Sequence, residues 1–137
     1  MIAFAPYEPQ HLASLDLKPA WAALRDKALA SPTVPGLAYS AFKNGRPIAC
    51  AGLQPHGDIA VGWAYVGRDV GLRDWVAIVK KMRSVLEEQR RPVYMTVARG
   101  FAPGCALAFR LGFVVDRVLQ SFGRDGADHF LFARCEA

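Results

Sequence analysis

Apolar and polar positions change rhythm several times along the chain, and each change marks an element. Leu72, Trp75, Val76, Val79, Met82 and Leu86 fall at i, i+3, i+4, i+7, i+10 and i+14, the spacing of one buried stripe on a helix. The pattern predicts a helix over Leu72–Gln89. Asp69 or Asp74 suits its positive end, Arg90 and Arg91 suit its negative end, and Pro92 stops it. Before it come an apolar run, Val61–Val66, and the loop Gly67-Arg68-Asp69-Val70-Gly71. After it, Val93–Ala98 reads as a central strand buried on both faces. Strand, glycine-bearing loop, helix and parallel strand make a βαβ unit.

The flanks read as antiparallel sheet. Leu37–Lys43 and Arg46–Leu53 enclose Asn44-Gly45, a hairpin signal because both central residues of a type I′ turn need positive φ. Pro55-His56-Gly57-Asp58 turns the chain into Ile59–Val66. Upstream, Ile2-Ala3-Phe4 is a short strand, broken by Pro6 and Pro9. Two helices follow, one over about Pro9–Leu15 and one from Pro19, with Leu17, Trp21, Leu24 and Ala28 on one face. Ser31–Gly36 is a loop by its breakers. Downstream, Pro103 opens a short helix carrying Leu107 and Leu111, Gly112 caps it, and Phe113–Phe122 and His129–Ala133 are strands joined by Gly123-Arg124-Asp125-Gly126. The order is β-α-α-β-β-β-α-β-α-β-β: an α+β fold over residues 1–137 as a single domain, with a mixed sheet and a parallel step in its middle.

Composition narrows the class. The 137 residues are 53% hydrophobic, enough for an independent core and too apolar for a disordered chain. No apolar run approaches the roughly 20 residues that span a bilayer, and the N-terminus lacks a basic, then apolar, leader, so a cytoplasmic location is expected. Cys50, Cys105 and Cys135 are far apart and odd in number, which favours reduced thiols. His11, His56 and His129 are equally scattered, so no metal site is expected. Of the net charge of +5, a surplus of three lies between Arg68 and Arg91, with seven basic residues against four acidic. Lys80, Lys81 and Arg83 read as a solvated helix face. The remainder suits a polyanion such as coenzyme A phosphates or nucleic acid.

This element order, closing on Arg110-Leu111-Gly112-Phe113, resembles the GNAT acetyltransferases over essentially the whole chain. The resemblance implies a GNAT-like mixed central sheet whose two middle parallel strands splay apart around acetyl-CoA (CoA). It puts the pantetheine arm on the backbone of Ala64, Tyr65 and Val66, and the pyrophosphate on the amides of Val70, Gly71 and Leu72 with Arg68 and Arg73. The physical basis is general: free N–H groups and a positive helix end attract phosphate, and glycine lets backbone approach it. In the family's Arg/Gln-x-x-Gly-x-Gly/Ala loop, Arg68 and Gly71 match, whereas Arg73 replaces a small residue and Asp69 adds negative charge. An ordinary strand–helix turn, with Gly71 needed for geometry and Arg68 in solvent, is the competing reading.

Ala106–Phe113 resembles the family's Ala-x-x-Phe-Tyr-x-x-x-Gly-Phe signature. The position of the tyrosine that protonates the leaving thiolate in the family is Ala108, which has no proton to give. Tyr65 and Tyr94 are the alternative phenols, with Cys105 a further acid candidate or a packing thiol. Val61–Val66 holds no carboxylate, leaving His56 beside Asp58 as the candidate base. The basic-apolar helix, the missing tyrosine, the Gly-Phe close and the short length also resemble GNAT-like internal virion proteins of tailed phages and prophages. The resemblance thus implies an acetyltransferase acting on an unidentified small-molecule or peptide amine, its acceptor site shaped by the N-terminal helices and Arg124–Asp128. The alternative is a non-catalytic virion or binding protein with virion proteins as partners. Nucleic-acid binding ranks third, because the basic segment lacks interleaved stacking aromatics. Open edges of the terminal strands suit a homodimer.

Overall fold

Asn44 and Gly45 both take positive φ, 54° and 77°, as a type I′ hairpin demands. The hairpin they close frames the first part of the fold. A computed structural model describes residues 2–17, 19, 25, 37–68, 70–122 and 126–134. The helix expected from Pro19, the loop Ser31–Gly36, Asp69, Gly123–Asp125 and Cys135 lie outside the described residues. In chain order the elements are β1 (Ile2–Pro6), α1 (Pro9–Ala13), β2 (Ala38–Lys43), β3 (Arg46–His56), β4 (Ile59–Val66), α2 (Leu72–Glu87), β5 (Val93–Ala98), α3 (Ala102–Arg110), β6 (Val114–Leu119) and β7 (His129–Arg134). The strands form a seven-stranded mixed sheet in the order β1-β2-β3-β4-β5-β7-β6, the α+β architecture that the pattern predicts.

Two compact units divide the chain: Met1–Gln54 with Gly62–Met82, and Pro55–Val61 with Arg83–Ala137. In the first, β1 pairs antiparallel with β2 from Ile2 opposite Lys43 to Pro6 opposite Tyr39, and β2 pairs with β3 through a register shift at Ala41/Phe42. Leu12, Leu15, Leu17, Cys50, Val66 and Ile78 are buried there. Gly52 is dictated by crowding, since a Cβ on it would sit 2.8 Å from both Ala38 and Trp63.

In the second unit, β5 pairs with β7 from Val93 opposite Arg134 to Ala98 opposite His129, and β7 pairs with β6. Phe132 is fully buried, its ring 5.3 Å from Phe109 and 5.9 Å from Phe130. Arg134 donates to the carbonyls of Leu111 (3.1 Å) and Leu86 (3.2 Å), satisfying acceptors that helix C-termini leave open. β4 and β5 run parallel, with Ala60 opposite Val93 and Val61 opposite Tyr94.

Several expectations are corrected. The buried face of α2 carries Asp74, Ile78 and Leu86, whereas Leu72 and Val76 are 77% and 59% exposed. The helix is rotated from the expected stripe because Asp74 is drawn inward by polar partners, and Ile78, one turn on, follows it. The helix ends at Glu87, so Arg90 and Arg91 stand beyond it. Lys81 does not lie on a solvated face: its ammonium sits 4.5 Å from the Tyr39 ring centroid and 5.8 Å from that of Phe4, a cation–π contact. β5 is buried on alternate residues only, with Thr96 exposed. β3 runs on to His56, leaving Gly57 (φ 61°) and Asp58 to make the turn. α1 is two residues shorter at its end than the pattern suggests, stopping at Ala13.

Candidate functional site

The loop between β4 and α2 is fastened to β3 and to the chain that follows α1. Val66 is fully buried. Gly67 donates its N–H to the Ile48 carbonyl at 2.7 Å, and a Cβ there would lie 2.9 Å from that oxygen, so packing requires glycine. The Arg68 N–H binds the Asp16 carbonyl at 2.6 Å. Its guanidinium reaches the Leu17 carbonyl at 3.1 Å and stands 3.6 Å from the Asp16 carboxylate. Arg68 is therefore not simply in solvent: it ties the chain after α1 to the β4–α2 loop.

Gly71 differs from Gly67. Its carbonyl accepts the first helical bond of α2, from the Trp75 N–H at 2.9 Å, which makes it the N-cap. It has no positive φ, and the nearest atom to a Cβ built on it is Asp74 Oδ2 at 3.9 Å, ordinary contact. Neither a positive φ nor crowding requires glycine here, although glycine is favoured over alanine at an N-cap. What the absent side chain does provide is bare backbone at a helix N-terminus.

Charge is organised around this point. Asp74 accepts from the Lys43 ammonium at 2.9 Å, and its Oδ2 lies close to Gly71, 3.9 Å from where a Cβ there would stand. The Lys43 hydrogen bond, with the Gly71 amide assisting against partial burial, holds the Asp74 carboxyl below the usual carboxylate range. A cavity of about 530 Å³ opens beside them, with Asp16, Lys43, Arg46, Arg68, Val70 and Asp74 among its walls. Three of those side chains are cations and two are carboxylates. Lys43 and Arg46 carried no signal in the sequence. The Asn44-Gly45 turn brings them here because β3 lies beside β4, which sets the hairpin tip level with the start of α2.

The remaining expected cofactor positions divide by exposure. Ala64 is half-buried and Tyr65 and Val66 are buried on β4, beyond Val61, the last β4 residue opposite β5. Val70 is half-buried, and Leu72 and Arg73 are exposed on the first turn of α2.

A second group, also missed, lies on the α1 side of the sheet. His11 Nδ1 receives the Glu8 N–H at 3.1 Å, so it is an acceptor, and the Ser40 hydroxyl 2.8 Å away donates to it. The ring proton then sits on Nε2, which faces Glu8 Oε2 at 3.4 Å. Ser40 Oγ lies 3.5 Å from the Cys50 thiol, and both side chains are buried. Burial pushes Cys50 up to about 11, against a lowering from Ser40. Burial also raises Tyr65, and raises Tyr7 with Cys50 and Tyr65 adding to the shift. Tyr7 stacks edge-on against Trp63 at 5.0 Å. Tyr7, Cys50 and Tyr65 are thus held in their protonated forms and cannot serve as bases.

The other candidates belong to the second unit. Tyr94 is half-buried on β5, and His56 and Asp58 are exposed where β3 ends. Cys105 packs its thiol 3.9 Å from the Ala98 carbonyl, and burial raises its pKa. Ala108 is fully buried on α3. Among the described residues no cluster of three His, Cys, Asp or Glu side chains is placed to hold a metal ion.

No protein-family model and no curated protein matches the sequence. Solved structures do match the fold. The ribosomal-protein-S18-alanine N-acetyltransferase of Escherichia coli superposes with a TM-score of 0.72 at 18% identity, over 100% of this chain and 96% of that one. An acetyltransferase of the GNAT family from Streptococcus pneumoniae gives 0.65 at 13% identity over the whole of both chains. The NatC complex bound to Gag peptide and CoA gives 0.62 at 14% identity, over 99% of each chain. The fold is that of the GNAT acetyltransferases.

Proposed function

We propose that this chain binds acetyl-CoA and transfers the acetyl group to an amine. The observation that carries the reading is Gly71, a glycine that the chain's own packing and backbone do not require, placed at the N-cap of a 16-residue helix beside a cation-walled cavity. Bare amides at a helix start, with Arg68 and Arg73 nearby, fit a diphosphate. One residue opposes the fit: Asp74, whose carboxylate lies beside Gly71. The fold match supports the same reading, and a relative of that fold carries CoA.

When bound, acetyl-CoA supplies an activated thioester. The chain's part is to hold it and to manage protons. Ala64, Tyr65 and Val66 offer strand backbone along which an extended pantetheine arm adds as a further strand. Val70, Gly71 and Leu72 offer amides to the diphosphate. The acceptor amine must lose a proton and the departing sulfur must gain one. Tyr65, kept protonated by burial, is suited to donate to the sulfur, ahead of the half-buried Tyr94. No carboxylate lies on β4, so the amine gives its proton to water. The rate gain then comes mainly from positioning and backbone dipoles. The acceptor is a small-molecule or peptide amine and the compartment the cytoplasm. Among the described residues, no helix is long and apolar enough to cross a membrane.

A second reading rests on Ala108. The position is fully buried and carries no acid, which favours a GNAT-fold protein without turnover: a binding protein or, on the phage likeness, a virion component. Release of free CoA thiol across a panel of amines and N-terminal peptides separates the two. Amine-dependent release lost in Tyr65→Phe supports transfer with Tyr65 as acid. Binding of acetyl-CoA with no release from any amine supports the second reading.

A further inference from the structure

In the molecule as built, the place of a phosphate at the start of α2 is taken by the protein itself. The Asp74 carboxylate lies beside Gly71, with Oδ2 3.9 Å from where a Cβ there would stand, and Lys43, arriving from the tip of the β2–β3 hairpin, neutralises it at 2.9 Å. Asp74 is 9% exposed, so the pair stands partly out of water. A second pair, Arg68 with Asp16 at 3.6 Å, borders the same cavity. Arg46, also in the wall, makes no ion pair among the described residues. Two of the three cations are thus held by carboxylates.

We propose that Asp74 is a built-in competitor for the ligand's diphosphate and that Lys43 is the cation it holds in reserve. The proposal rests on the acetyl-CoA reading and assigns to that site a self-occupied resting state. An incoming diphosphate takes the Gly71 amide, Asp74 swings into solvent, and Lys43 passes from carboxylate to phosphate with Arg46 beside it. Lys43 is then a phosphate ligand supplied from outside the glycine loop. Like charges account for the competition: carboxylate and diphosphate cannot share one amide and one ammonium without repulsion. Asp74 stays ionised throughout the neutral range, because Lys43 lowers its pKa, so the competition is present wherever the protein works.

The test is titration calorimetry of coenzyme A, and separately of inorganic pyrophosphate, with wild type, Asp74→Asn, Lys43→Ala and the double variant. Asparagine keeps the shape of Asp74, and a melting curve for each variant confirms the fold. The account expects Asp74→Asn to bind both probes tighter by on the order of fivefold, and Lys43→Ala to bind both weaker by a similar factor. Lys43→Ala must still weaken binding when Asp74 is already asparagine, since Lys43 acts on the ligand and not only on Asp74. Equal or weaker binding by Asp74→Asn overturns the proposal, as does unchanged binding in the double variant relative to Asp74→Asn. Coenzyme A binding with no gain in Asp74→Asn sinks this proposal alone. Pyrophosphate binding that follows the expected order while coenzyme A fails sinks the acetyl-CoA reading and leaves the gate standing. Failure of both probes with every variant sinks both.

Discussion

Lys43 Nζ and Asp74 Oδ2 meet at 2.9 Å, joining the tip of the β2–β3 hairpin to the first turn of α2. The contact fixes three things together. It turns α2 so that Ile78 faces inward, it neutralises the helix N-terminus, and it sets hairpin cations against the Gly71 amide.

Acid unfolding reports on this pair. The folded-state pKa of Asp74 lies below that of the unfolded chain, so its contribution is present above about pH 4 and is lost as pH falls through the folded value. In urea titrations between pH 6 and pH 2.5, wild type loses stability over that window. Asp74→Asn is expected to lose less. Parallel curves for the two proteins would show that the pair contributes nothing to folding.

The alkaline side reports on Cys50. Burial raises its thiol to about 11, above the unfolded value near 9, so folding gains fully below about pH 9 and loses that gain as pH climbs toward 11. Cys50→Ala removes this loss. Comparing stability from urea titrations at pH 8 and pH 10.5, the drop in wild type exceeds that in the variant by up to about 2 kcal/mol. Tyr7 and Tyr65 add a loss in the same direction in both proteins. Equal drops would mean that the Cys50 thiol is not protected by the fold.

Two glycines four residues apart in sequence give opposite results. Gly67→Ala drives a Cβ to 2.9 Å from the Ile48 carbonyl and is expected to cost about 1–3 kcal/mol. Gly71→Ala meets only Asp74 at 3.9 Å and costs under about 1 kcal/mol, the difference between glycine and alanine at an N-cap. Chemical denaturation measures both. A Gly71→Ala cost as large as that of Gly67→Ala would return Gly71 to a structural role.

Restoring the family's phenol does not restore its chemistry. Ala108 is fully buried, so Ala108→Tyr overpacks α3 and costs about 1–3 kcal/mol or more in melting experiments. A stable Ala108→Tyr protein with raised acetyl transfer would show that the space is open after all.

Much of the fold was legible because its signals are local. Asn44-Gly45 states its own φ requirement, and Pro103 with Gly112 brackets α3. The rotation of α2 was not legible. Periodicity finds an apolar stripe but cannot know that Asp74 is pulled inward by Lys43, a residue thirty-one positions away, so Leu72 and Val76 were assigned to the core and Ile78 was passed over. For the same reason the motif identified Arg68 and Gly71 but not Lys43 or Arg46, which join the site through strand pairing. The chain His11–Ser40–Cys50 is likewise a product of pairing, since β2 sets Ser40 opposite Cys50.

The most direct test of the account is the melting temperature with and without millimolar acetyl-CoA, for wild type and for Gly71→Trp. A ligand at about 100 times its Kd stabilises by roughly 2.7 kcal/mol, a rise of several degrees for a chain of this size. The account predicts that rise in wild type and its loss in Gly71→Trp, where the indole covers the amides. A wild-type melting temperature that does not move, or one that moves equally in Gly71→Trp, would contradict it.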